Sequence, residues 1–176
     1  MKNSGRMKKI TCLCIFISCI GCTNNKQKGL VYYNDFETIK SWSDVLLEKK
    51  PVHSGIYSNR LDSVNFYGES FKLTFKEISD QVVKKVKINF WVYLHDSSSK
   101  GKLVVEINQP DKKNVFWIAK NIEDFDKKPS QWTEVTLEFT FVKKEIMLPE
   151  NVIKIYPWNL SKKEMYIDDV RIEFVI

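Results

Sequence analysis

Lys85–Leu94 reads KVKINFWVYL, and Val86, Ile88, Phe90, Val92 and Leu94 fall on every second position. Successive side chains of a strand point to opposite faces, so this spacing predicts a β-strand with one buried face. Similar runs recur along most of the chain: Leu30–Phe36, Ser70–Phe75, Lys102–Ile107, Asn114–Ala119, Gln131–Val142, Asn151–Tyr156 and Glu164–Val175. In Gln131–Val142, Trp132 falls out of phase with Val135, Leu137, Phe139 and Phe141, which predicts an irregularity near Thr133. Turn-forming groups separate the runs, among them His53-Ser54-Gly55, the stretch from Asp96 to Gly101, Gln109-Pro110-Asp111 and Lys128-Pro129-Ser130. Phe36–Leu47 reads as a short helix or an irregular loop. Eight or nine short strands at regular spacing, without crossover helices, specify an all-β antiparallel sandwich. The length exceeds the roughly 100 residues of an immunoglobulin sandwich and suits a jelly roll better.

The first residues follow a different logic. MKNSGRMKKI is basic and lacks acids, and ITCLCIFISCIG is apolar over about a dozen residues. Such a run is short for a membrane span and right for the apolar region of a signal peptide. It ends in Cys19-Ile20-Gly21-Cys22, which resembles the lipobox of bacterial lipoproteins. That resemblance implies removal of residues 1–21, acylation of Cys22, a polar tether over 22–28 and a single domain over 29–176. It also implies a lipid anchor in the bacterial outer membrane, facing the cell surface or the periplasm. An ordinary secretory signal or a short N-terminal anchor are the alternatives. All four cysteines (Cys12, Cys14, Cys19 and Cys22) lie in this segment, so residues 29–176 contain no disulfide, cysteine nucleophile or thiolate metal site.

Charge narrows the partners. The formal net charge is +6, and Lys2, Arg6, Lys8 and Lys9 supply four of those positive charges, leaving the rest of the chain near +2. The remaining lysines are scattered rather than gathered on one helix, which argues against nucleic acid and reads as solvated edges and turns.

MYIDDVRIEFVI (Met165–Ile176) closes the chain. Read with period two, Tyr166, Asp168, Val170, Ile172 and Phe174 share one apolar face, while Asp169 points the other way. An ionised carboxylate on a core face is costly unless it is paired, hydrogen-bonded or metal-bound. Backbone N–H donors or Arg60 are its metal-free partners.

Several stretches, in order, resemble the galactose-binding-like jelly rolls common among carbohydrate-binding modules. They are NDFET (Asn34–Thr38) with Trp42, VHSGIYSNRL (Val52–Leu61), FWVYL (Phe90–Leu94), QWTEVTLEFTF from Gln131, IKIYPWN (Ile153–Asn159) and YIDDVRIEF. The resemblance implies one structural Ca²⁺ where the first strand, the HSG loop and the last strand meet. Asp168 and Glu37 would supply carboxylates, and His53, Ser54 and Asn59 loop oxygens, matching the oxygen-rich shell calcium prefers. Trp132 matches a family position that packs at a strand start.

Carbohydrate sites use exposed rings, because the apolar face of a pyranose stacks on them while polar neighbours bond its hydroxyls. Phe71, Phe75, Phe90, Phe139 and Phe141 occupy alternating apolar faces and are expected in the core. Trp91, Tyr93, Trp117 and Trp158, with His95 and Asn108 as polar partners, form the expected binding surface. HExxH, GxSxG and Gly-rich phosphate motifs are missing, and no pair of carboxylates stands out as catalytic. The leading expectation is a non-catalytic, membrane-anchored carbohydrate-binding lipoprotein for a polysaccharide or oligosaccharide. A protein-interaction component of an envelope complex is the second reading, and a polysaccharide hydrolase or lyase the third.

Overall fold

A computed structural model of the chain describes residues 30–38, 46–124 and 128–176. The expected signal segment, Cys22, the tether and Trp42 lie outside the described residues. Ten strands among the described residues form two antiparallel sheets. In the first sheet, β2 (Leu47–Glu48), β3 (Ser58–Leu61), β10 (Met165–Val175), β5 (Lys85–Leu94) and β8 (Trp132–Thr140) lie in that order. A further strand, β1 (Val31–Asn34), also pairs with β10. The second sheet runs β4 (Phe71–Thr74), β9 (Val152–Asn159), β6 (Gly101–Asn108) and β7 (Asn114–Asn121). The result is a β-sandwich of the jelly-roll class, as the alternating runs predict.

Period two explains the core. Val86, Ile88, Phe90, Val92 and Leu94 of β5 are all buried, and the residues between them are half-buried on the outer face. Val135, Leu137 and Phe139 of β8 join them, and Leu103, Val105, Ile107, Ile153 and Ile155 face them from the second sheet. At roughly 25 cal/mol per Å² of apolar surface, burial of these two inner faces is the main stabilising term for a domain that has no disulfide.

The structure departs from the expected pattern in three places. β8 pairs with β5 in unbroken register from Trp132 to Thr140, so Thr133 carries no irregularity. Trp132 is out of phase because it lies on the outer face, opposite Tyr93. The run Ser70–Phe75 leaves the sheet at Thr74, where a one-turn helix, α1 (Phe75–Ile78), begins. Thr74 Oγ1 accepts from the Glu77 amide while Glu77 accepts from the Thr74 amide, a capping box that satisfies both donors.

The third departure is in β10. Asp168 stands opposite Trp91 and Arg171 opposite Asn89, so Asp169 and Val170 together face Phe90. This is a β-bulge, and Asp169 adopts the left-handed region with φ 48°. One extra residue inverts the parity of everything beyond it. Met165 and Ile167 are buried in the core before the bulge, and Ile172 and Phe174 after it. Tyr166 and Asp168 therefore do not share a face with Ile172 and Phe174, and Asp168 is not on the core face.

Phe90 is 1% exposed and lies directly across from the bulge. Truncation to Phe90→Ala is expected to cost about 3–5 kcal/mol of unfolding free energy, checked by urea denaturation.

Candidate functional site

The bulge brings the two aspartates to one place. Asp168 is fully buried, and its Oδ2 accepts from the His53 amide at 2.8 Å and the Ser54 amide at 3.3 Å. Its Oδ1 accepts from the Asp169 amide at 2.8 Å. Asp169 reaches the same loop: Oδ2 lies 2.6 Å from His53 Nδ1, and Oδ1 accepts from Ser54 Oγ at 2.9 Å and from the Tyr33 hydroxyl. The expectation that the two carboxylates diverge is thus corrected, and the bulge is the reason.

Glu37 does parallel work one turn along the loop. Its Oε1 accepts from the Ile56 and Tyr57 amides at 2.7 and 2.8 Å. A Cβ on Gly55, at φ 62°, would stand 2.3 Å from that oxygen, which is why the HSG loop carries glycine there. Asn59 takes no part in this cluster. It pairs in register with the core-facing Ile167, and its Oδ1 accepts from the Glu69 amide at 2.8 Å.

A calcium ion needs about six to eight oxygens converging on one point. Here Glu37 and Asp168 each hold a different pair of loop N–H groups, whose positive ends favour an anion and repel a cation. Asn59 faces the opposite side of the sheet, and no three His, Cys, Asp or Glu side chains among the described residues are placed to hold a metal. The described residues do not fit the calcium ion that the resemblance implies. Arg60, the other possible partner, bonds Glu164 at 2.8 Å instead.

The six expected binding residues divide between two surfaces. Trp91 and Tyr93 lie on the outer face of the first sheet. Trp91 stacks on His53 at 3.8 Å between centroids, and Tyr93 packs against Trp132 and Tyr166 at 5.6 and 6.0 Å. His95 is exposed at the end of β5, its amide bonded to the Glu164 carbonyl. Asn108, Trp117 and Trp158 lie on the outer face of the second sheet, with Asn108 and Trp158 toward its opposite ends.

That second face is ordered by register. Lys72, Lys154, Glu106 and Trp117 form one row across β4, β9, β6 and β7. Tyr156, Val104 and Ala119 form the next, and Trp158, Lys102 and Asn121 the one beyond. Tyr67, 50% exposed, bridges to Trp158 with ring centroids 5.8 Å apart, and Phe66 packs on Tyr67. Trp117 is 48% exposed. The Tyr156 hydroxyl donates to Glu106 Oε2 at 3.2 Å. Lys154 Nζ lies 4.5 Å above the Tyr156 ring and 3.8 Å from Glu106 Oε1. Asn108 Nδ2 donates to Glu106 Oε1 at 3.3 Å and its Oδ1 accepts from Asn114. Burial, followed by the Glu106 charge, pushes the Tyr156 phenol up to about 12, so it remains a donor at neutral pH.

Beside this row, Lys72, Glu106, Asn108, Lys112 and Lys154 line an open hollow of about 460 Å³. Exposed rings, amides, a carboxylate and ammonium groups thus share one accessible surface. Tyr67, Glu106, Lys154 and Tyr156 were not anticipated. For Lys154 and Tyr156 the signal is present, since both share the parity of Trp158 in IKIYPWN. Tyr67 lies outside any periodic run, and only the chain trace places it here.

No family model matches the chain, and no curated protein matches it. Solved structures do. The xylan-binding CBM22-1 domain of Xyn10C from Paenibacillus barcinonensis aligns with a TM-score of 0.52 at 14% identity, over 83% of this chain and 93% of that one. The C-terminal family 22 carbohydrate-binding module of Clostridium thermocellum Xyn10B aligns with a TM-score of 0.56 at 14% identity, over 82% and 94%. A xylan-binding domain from CBM 22 aligns with a TM-score of 0.55 at 16% identity, over 85% and 99%.

Burial pushes the Asp168 carboxyl up to about 6, against three N–H bonds that favour the anion. Burial also raises Asp169, but bonds from Tyr33, His53 and Ser54 outweigh it and hold that carboxyl below the usual range. The folded state therefore binds more protons at Asp168 than the unfolded state between about pH 4 and 6, and stability falls as pH rises across that window. Asp169 acts oppositely: its stabilisation is present above about pH 4 and is lost as pH falls further. Melting temperatures measured against pH should decline from about pH 4 to 6, and Asp168→Asn should remove that decline. Excess EDTA is expected to leave the melting temperature unchanged, and a fall reversed by added calcium would overturn the reading of Asp168 as metal-free. By its topology and by these alignments, the described domain has the jelly-roll fold of carbohydrate-binding modules.

Proposed function

We propose that the chain is a non-catalytic carbohydrate-binding lipoprotein, and that the outer face of the β4–β9–β6–β7 sheet is its binding surface. One observation carries this reading: Trp117, Trp158 and Tyr67 stand accessible on a single face beside Tyr156, Glu106, Asn108 and Lys154. Pyranose rings stack their apolar C–H faces on such aromatics, while phenol, amide, carboxylate and ammonium groups bond the hydroxyls. Solved structures of the same fold are described as xylan-binding, which supports a polysaccharide ligand.

A catalytic role has less support. Glu106 is the only carboxylate among the outward positions of the four strands, and Tyr156, Lys154 and Asn108 already engage it. On the other sheet, Asp168 is fully buried and both Asp169 oxygens are occupied by Tyr33, His53 and Ser54. Acylation of Cys22 would hold the domain to the bacterial outer membrane, with the polar stretch after it as a tether.

Affinity electrophoresis against xylans and other polysaccharides is expected to show retardation of the full chain. Trp117→Ala and Trp158→Ala should each weaken binding about tenfold, equal to about 1.4 kcal/mol. Retardation by no polysaccharide would sink the proposal. Replacing Cys22 with Ser should release the protein from the membrane fraction.

A further inference from the structure

We infer that this face selects an anionic polysaccharide, one bearing carboxylate or sulfate groups, over a neutral one. The inference rests on the carbohydrate-binding reading above and names the chemistry of its ligand.

Charge on the sandwich is distributed unevenly. On the outer face of the first sheet, Lys87 stands between Glu138 and Glu173 in register, and Lys85 pairs with Glu138 at 3.2 Å. Lysine there is matched by acid. On the second sheet, the outward positions carry Lys72, Lys102 and Lys154, and the β6–β7 turn adds Lys112. Against these four stands Glu106, whose charge is already offset by Lys154 and by the Tyr156 hydroxyl. The turn also holds Asp111, beside Lys112 and Lys113, with its carboxylate accepting the Lys113 amide. Lys72, Lys102 and Lys112 have no carboxylate within 4.0 Å among the described residues.

Edge protection does not account for this pattern. Natural sheets place lysine on exposed edges to prevent strand addition, which suits Lys72 on β4. Lys102 and Lys154 lie on the two central strands, where no edge needs blocking. Lys102 stands directly opposite Trp158, and Lys72, Lys112 and Lys154 line the hollow next to the Glu106–Trp117 row. Ammonium groups thus flank the rings at both ends. A stacked sugar carrying an acidic substituent places its charge within their reach, where opposite charges at a partly desolvated surface attract more strongly than in bulk water.

The test uses the full chain in mild detergent and three polymers: glucuronoxylan, polygalacturonate and a sulfated glycan. Each is compared with its own carboxyl-reduced or desulfated form, with polyaspartate as a polyanion that has no sugar. At least one charged glycan is expected to bind tenfold or more tightly than its neutral form, with an advantage that shrinks as salt is raised. The arm in which this occurs distinguishes carboxylate from sulfate. The triple variant Lys72→Gln, Lys102→Gln, Lys112→Gln should lose the advantage, with an unchanged melting temperature as the folding control. If charged and neutral forms bind equally, the inference fails and the carbohydrate-binding reading stands. If no glycan of either kind binds, both fail. Equal binding of polyaspartate, or an anionic preference that survives the triple variant, would also overturn it.

Discussion

One extra residue in the last strand organises the first sheet. β10 pairs with β5 along one side and, on the other, with β3 before the bulge and β1 after it. Without the inserted position, either Met165 and Ile167 or Ile172 and Phe174 would turn outward, and half of what β10 gives to the core would be lost. The left-handed backbone at Asp169 makes the correction, and it is held by the loop that its own side chain bonds. Backbone geometry, carboxylate pairing and core burial are thus one coupled arrangement.

The contrast between the acids on the two sheets follows from what surrounds them. Asp168 lies beneath a loop whose amides point at it, so its negative charge is met by fixed dipoles inside the protein. Glu106 lies on an open face, where a phenol, an amide and an ammonium share it. The first arrangement is closed and ties strands together. The second leaves polar groups and ring faces turned to solvent, which a surface for a hydroxyl-rich polymer needs.

Most of the fold was legible in the sequence because period two is a direct consequence of strand geometry. KVKINFWVYL gives β5 with its boundaries and its buried face, and the HSG loop and IKIYPWN fall where the resemblance puts them. Two kinds of feature were not legible. A bulge leaves the alternation looking continuous, so MYIDDVRIEFVI reads as one face when it is two. The short strands β2 and β3 are too brief for a periodic signal and exist because β10 offers them partners. The candidate surface was half legible: outward parity puts Trp117 and Trp158 on an outer face, but parity cannot say which of two outer faces a ring occupies. Trp91 and Tyr93 alternate as well as Trp117 does, yet they pack against His53, Trp132 and Tyr166.

The bond from Tyr156 to Glu106, with Lys154 across the phenol ring and beside the carboxylate, limits the rotamer freedom of this face. Side chains free to rotate lose rotamer entropy when a ligand immobilises them, and that loss subtracts from affinity. Here the phenol, the carboxylate and the Lys154 ammonium already restrain one another. Groups held at a fixed spacing in this way suit a partner whose own groups repeat at a fixed spacing.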